Sequence, residues 1–197
     1  MNGSIVGHSV RSILMEQVAC AHCGERHDIS RMEPNQRLPD ALLSVPEDER
    51  GTATYESKDV CILFAKTPNS VLARFTVRLR SDRYFLRVLL PFDVEGRDHP
   101  ISWGVWVEVN KRQYERVVAL WHAPDQHREP PFRAVLANNI GDYPPTEGLP
   151  GLVYLQSPNS IPKFLLSEGS HRLIVEQHGG VTETRVLEWL NAILHPV

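Results

Sequence analysis

The sequence predicts an α+β domain: an antiparallel sheet with two or more packed helices and an N-terminal zinc-knuckle-like annex. Three observations carry this. Consecutive segments after residue 60 alternate apolar and polar residues with period two, which places them on sheet faces. Two later segments repeat their apolar residues every 3.6 positions, as a helix does. Near the N-terminus, Cys20-Ala-His-Cys23-Gly24 has the spacing of a metal-binding turn.

Along the chain, residues 1–15 show no strong period and read as an N-terminal arm. Residues 16–59 hold the Cys-x-x-Cys and then a polar stretch with Pro34, Pro39 and Pro46. Within it, Asp40 to Asp59 carries six acids against Arg50 and Lys58, the pattern of a solvated face or loop. Residues 60–197 form the α+β part, one globular unit with the knuckle. Val60 to Ala65 is short and apolar, a strand. From Val71 to Arg80, Val71, Ala73, Phe75, Val77 and Leu79 alternate with Arg74, Thr76, Arg78 and Arg80. Ser81-Asp82-Arg83 turns the chain into a partner strand, Tyr84 to Leu90, ended by Pro91. Trp103 to Asn110 alternates again, completing a sheet of about four strands.

Asn110 with Gln113 three residues on predicts a capping box, followed by Tyr114, Val117, Val118 and Trp121 on one helical face. Val117 and Trp121 are expected against the sheet. The span from Pro124 to Pro150 reads as loop, interrupted by Phe132 to Ala137. Val153–Gln156, Lys163–Leu166 and Leu173–Gln177 read as short strands. Thr182 caps a last helix, with Val186, Leu187, Leu190, Ile193 and Leu194 on one face.

Composition narrows the function. The chain has 197 residues, a formal charge of −3 and three cysteines. Net acidity weighs against a general nucleic-acid binder. No apolar run approaches the roughly 20 residues a bilayer needs, and the first residues lack the basic start and apolar core of a secretion signal. The expected location is cytoplasmic, where disulfides seldom persist.

Metal is the strongest chemical signal. Cys20 and Cys23 place two thiolates on one tight turn, His27 follows four residues later, and Cys61 opens a strand that would clamp the turn onto the sheet. Together they make a Cys₃His shell for structural zinc; His22, inside the turn, ranks below His27. A redox dithiol is the rival use of Cys20 and Cys23, but no helical apolar stripe follows them. The chain lacks G-x-S-x-G, G-x-x-x-x-G-K, G-x-G-x-x-G and H-E-x-x-H.

A second candidate is a contact face. Lys66 to Arg87 carries six bases and one acid. Arg74 and Arg78 lie on one side of their strand, and Trp106 lies opposite Val105 and Val107, so the three are expected together on an exposed partner-binding surface.

Taken in order, CAHCGERHD (20–28), DVC (59–61), WGVWVEVN (103–110), EPPF (129–132), DYP (142–144) and HRLIVEQHGGVT (171–182) resemble a bacterial family known only as domain of unknown function 2199. The family pattern has His-Pro-Leu where this chain has His171-Arg172-Leu173. The resemblance implies the domain outline and the Cys and His positions, and no activity. The expectation is therefore a zinc-stabilised module that binds another protein, as a regulator or an immunity-type inhibitor does. The alternative is a zinc-dependent hydrolase with an open metal position.

Overall fold

A computed structural model describes residues 34–65 and 81–194 of the chain, together with the short stretches 17–19 and 26–28. The predicted arm 1–15, Cys20, Cys23 and the alternating segment 71–80 lie outside the described residues.

The fold mixes helix and sheet, as expected, but the sheet is larger than the sequence reading proposed and closes on itself. β1 (Gln17–Ala19) and β2 (Arg26–Asp28) form a separate antiparallel pair. Seven strands make the main sheet: β3 (Thr54–Glu56), β4 (Val60–Leu63), β5 (Arg83–Phe92), β6 (Ile101–Val109), β7 (Phe132–Leu136), β8 (Pro150–Tyr154) and β9 (Lys163–Leu166), in that spatial order. Every neighbouring pair is antiparallel. β9 then returns beside β5 in parallel at Leu89 and Lys163, where the Leu89 N–H donates to Pro162 O at 2.8 Å. An odd number of alternating strands can close only through one parallel seam, and that seam turns β5 to β9 into a five-stranded barrel. Closure removes the open edges a flat sheet would leave.

Inside the barrel, side chains follow the period-two pattern. Leu86, Val88, Leu90 and Phe92 of β5 meet Val105, Val107 and Val109 of β6, Ala134 and Leu136 of β7, Val153 of β8, and Phe164 and Leu166 of β9. β5 runs through Pro91, which pairs with Ser102, so the proline does not end the strand.

Helices close the barrel from outside. α3 (Lys111–Leu120) starts with the predicted capping box: the Gln113 N–H donates to Asn110 Oδ1 at 2.9 Å, and the Asn110 N–H to Gln113 Oε1 at 3.1 Å. It buries Tyr114 and Val117, whereas Trp121, at its C-cap, packs half-buried at the margin. α5 (Glu183–Leu194) begins after Thr182, whose hydroxyl accepts from the Arg185 N–H, and it buries Val186, Trp189 and Leu190.

Two segments read differently from their sequence expectation. Leu173 to Gln177 lies in a helix, α4 (Arg172–Gly179), capped by His171, whose Nδ1 accepts from the Leu173 N–H at 3.1 Å. Its buried Leu173, Ile174 and Gln177 are spaced one and three residues apart, too short a run to separate helix from strand by period alone. The acidic span 40–59 is no loop: it folds as α1 (Asp40–Leu43), α2 (Glu47–Ala53) and β3. Glu47, Asp48, Glu56 and Lys58 face water, Asp40 turns to Asn138 and Asn139, and Leu42, Val45 and Ala53 point inward.

Barrel closure demands one close approach. A Cβ at Gly151 would sit 2.4 Å from the Leu165 carbonyl oxygen and 2.5 Å from the Phe164 ring. Gly151→Ala must therefore push β8 off β9, and urea unfolding is expected to show a loss of about 1–3 kcal/mol or more.

Candidate functional site

The predicted metal site is only partly within reach of the structure. The β1–β2 pair has Ala19 opposite Arg26, Val18 opposite His27 and Gln17 opposite Asp28. The connector between these strands, residues 20–25, holds Cys20, Cys23 and Gly24. His27 sits in β2, one position beyond the closing pair. Among the described residues no group of three His, Cys, Asp or Glu side chains is placed to hold a metal ion.

Cys61 is described, and its surroundings are apolar. It lies in β4, wholly buried among Leu38, Leu42, Val45, Ala53, Leu63, Phe85, Trp106 and Ala137. Burial there pushes the thiol up to about 12, with the negative charge of Glu56 adding to the shift and a backbone hydrogen bond at Ser57 opposing it. Without a cation at Sγ the group is a neutral thiol at pH 7.

The expected contact face is corrected at Trp106. Strand parity does put Trp106 opposite Val105 and Val107, but that side is not open to solvent: Trp106 is 1% exposed. The chain itself covers it, through residues 34–39, which run as a strap across β6, and through α1 that follows, and not through the C-terminal strands. Leu38, Leu42 and Val45 pack over the indole, and its Nε1–H donates to Gln36 O at 3.1 Å. Arg74 and Arg78 lie outside the described residues. Of the other charges on this side, Arg83 forms a two-pronged bond to Glu108 at 2.7 and 3.0 Å, and Arg87 donates to Asn35 at 2.7 Å.

A buried amide holds the strap. Asn138 is fully enclosed; its Oδ1 accepts from the Trp106 N–H at 2.8 Å, and its Nδ2 donates to Leu38 O and Asp40 Oδ1 at 2.8 and 2.9 Å. The second Asp40 oxygen accepts from the Asn139 N–H at 2.7 Å. Both functional groups of the amide are used, so no buried polar atom is stranded there.

At the other side of the barrel an ionic cluster joins three elements. Arg185 of α5 is almost buried and donates to both Asp142 oxygens at 2.8 and 3.0 Å, to Glu188 at 2.8 Å and to Glu176 of α4 at 3.2 Å. Its guanidinium also stacks over Tyr143 and Trp189. The Tyr143 hydroxyl donates to Glu176. Burial works against the Arg185 charge, but its hydrogen bonds to Asp142 and Glu188 outweigh that and hold it protonated. The same bonds keep the Asp142 carboxyl below its usual range. Arg172, where the resembled pattern has proline, is the first helical residue of α4. That position tolerates proline, and here Arg172 ties to Glu176 at 2.8 Å.

A third feature is a broad groove of about 1740 Å³ between the outer face of β7 and β8 and the ends of β4 and β5. Half-buried Phe64, Tyr84, Phe132, Val135 and Leu152 line it, and Asp82, Lys111 and Arg133 stand at its rim. Beside it, β6 and β7 pair at Val107–Leu136 and Glu108–Val135 before β6 turns into α3.

The motifs that carry the family resemblance are now placed. Asp59–Cys61 and Trp103–Asn110 run through the core beneath the strap, while Asp142–Pro144 and His171–Thr182 supply most of the ionic cluster. Comparison with family models decides the assignment: residues 19–181 match the family described as an uncharacterized protein conserved in bacteria, DUF2199. The chain belongs to that DUF2199 family. No curated protein and no solved structure matches it. Among the described residues, no helix of this DUF2199 protein is long and apolar enough to cross a membrane.

Sequence reasoning missed Asn138, Arg185 and the groove. Asp142 and Tyr143 were visible as the DYP string, but nothing local marks their partner 43 residues on.

Two outcomes follow for the measured protein. Arg185→Ala removes the cation shared by Asp142, Glu176 and Glu188, while Glu176 keeps Arg172 and Tyr143, and is expected to cost about 1–3 kcal/mol in urea unfolding; the Asp142 contribution, present above its ordinary value of 3.8, fades as pH falls through that range. For Cys61 the sign is opposite. The unfolded thiol ionises near its ordinary value of 9.0 while the folded one stays protonated to about 12. In metal-free protein, stability should therefore fall by about 1.4 kcal/mol per pH unit across that window. In Cys61→Ala this alkaline slope should be smaller than in the parent.

Proposed function

We propose that this protein is a zinc-stabilised module that binds another protein. One observation carries the metal half: the antiparallel pairing of Ala19 with Arg26 brackets a six-residue connector that contains both cysteines and Gly24. A short hairpin is the local frame on which two thiolates of a Cys-x-x-Cys-Gly turn converge on one tetrahedral ion. Cys20, Cys23 and His27 are the proposed ligands from this hairpin, with Cys61 the proposed fourth. Zinc at Cys61 would have to overcome the apolar surroundings that keep its thiol protonated, which makes that ligand the informative one to test. When bound, the ion supplies folding free energy to a stretch with few apolar residues of its own.

The partner half is supported by the groove. Its floor of half-buried Phe132, Val135 and Leu152 with a polar rim has the anatomy of a protein-binding patch. A hydrolase with an open metal position is the second reading, since three protein ligands and a water would result if Cys61 stays out of the shell.

Elemental analysis of protein prepared without chelator is expected to give about one zinc per chain, and a metal-free preparation would overturn the metal half. X-ray absorption then separates the readings: three sulfur neighbours and one nitrogen support the closed structural site, whereas an added oxygen favours hydrolysis. For the partner half, Leu152→Lys is expected to abolish co-purification of a stoichiometric protein partner from the native host while leaving the thermal midpoint nearly unchanged. Retained capture by that variant would remove the groove from the proposal.

A further inference from the structure

Residues 34–56, comprising the strap, α1, α2 and β3, stand apart from the barrel they lie on. Among the described residues the buried apolar side chains separate into two clusters, one of twenty-five around the barrel and one of nine beneath the strap. The smaller cluster has two owners. Leu38, Leu42, Val45 and Ala53 come from the cover; Cys61, Leu63, Phe85, Trp106 and Ala137 form the floor, on β4, β5, β6 and the end of β7. Lifting the cover would leave the strand pairing of the barrel intact.

What fastens the cover is mostly polar. The Gln36 N–H donates to Gly104 O at 2.8 Å, and the Gly104 N–H donates to Pro34 O at 2.7 Å, a parallel bridge on β6. The Asp40 N–H donates to Ala137 O at 3.0 Å, and the Asp40 carboxylate takes the Asn138 and Asn139 bonds. At the far end, the Phe64 N–H donates to Ala53 O at 2.9 Å, and the chain turns at Ser57, which bonds back to Val60. These groups can exchange to water without exposing the barrel interior. Among the described residues, Leu38, Leu42, Val45 and Ala53, with Ala41 beside them, are the cover's share of the smaller cluster, and such small cores mark units that open locally.

We infer that residues 34–56 form a releasable cover, which opens from the barrel as one cooperative unit and bares Phe85, Trp106 and Cys61 while the barrel stays folded. In the closed state Cys61 and Trp106 are both sealed from solvent. In the open state both meet solvent, so every reaction or contact of that face is gated by this opening.

Native-state hydrogen exchange of the full chain in increasing sub-denaturing urea tests this. The amides of Gln36, Asp40 and Phe64 are expected to share one opening, with a urea slope well below that of Val88 and Val105 in the barrel. Gly104→Ala sharpens the result, because its Cβ would lie 1.9 Å from Asn35 Oδ1, against the cover and away from the barrel interior. The variant should speed exchange of the cover amides about 10-fold or more while the barrel amides keep their rates. Cover and barrel amides that share one slope and one exchange rate would overturn the inference. So would cover amides that exchange independently of each other with no urea slope, since no cooperative unit would then exist.

Discussion

Strand β6 is buried on both faces: Trp103, Val105, Val107 and Val109 on one, Gly104 and Trp106 on the other. A strand with water on one side needs packing on the other only. β6 needs it on both, and the molecule is arranged to supply it. The odd-numbered face is served by closing β5 to β9 into a barrel, with α3, α4 and α5 packed around it. The even-numbered face is served by the cover, which brings Leu38, Leu42 and Val45 over Trp106.

The two solutions meet at polar contacts that have to be satisfied because they are buried. Asn138 accepts from the Trp106 backbone and donates to the strap, so one amide links the barrel wall to its cover. Gly104 offers both its N–H and its carbonyl to the strap. A side chain there would displace the Asn35 amide, which accepts from Arg87. Opposite, Arg185 gathers Asp142, Glu176 and Glu188, binding the loop after β7 to α4 and α5. Removing water from a lone guanidinium would be costly, and several carboxylates with direct hydrogen bonds offset that cost.

Much of the local structure was legible. The alternation over 103–109, the capping box at Asn110 and the cap at Thr182 each depend on residues within one or two turns of chain, and each is found where the sequence places it. The helix at 172–179 was misread because its apolar run is short and its cap is His171, not one of the usual Ser, Thr, Asp or Asn caps. The span 40–59 was legible as a solvated face or loop but not as two helices and a strand, because its charges dominate the composition while Leu42, Val45 and Ala53 carry the burial.

The sequence by itself determined membership of a bacterial family, a mixed α+β composition, and which side of β6 Trp106 occupies. Those properties follow from local spacing and residue type. Tertiary structure decided what that side faces. Parity is a property of one strand, whereas burial depends on a partner up to 70 residues distant, as in the bond from Trp106 to Gln36. Closure of the barrel was likewise beyond local reading, since the parallel seam joins Leu89 to Lys163, and nothing in either segment alone distinguishes an edge strand from one that meets another across a barrel.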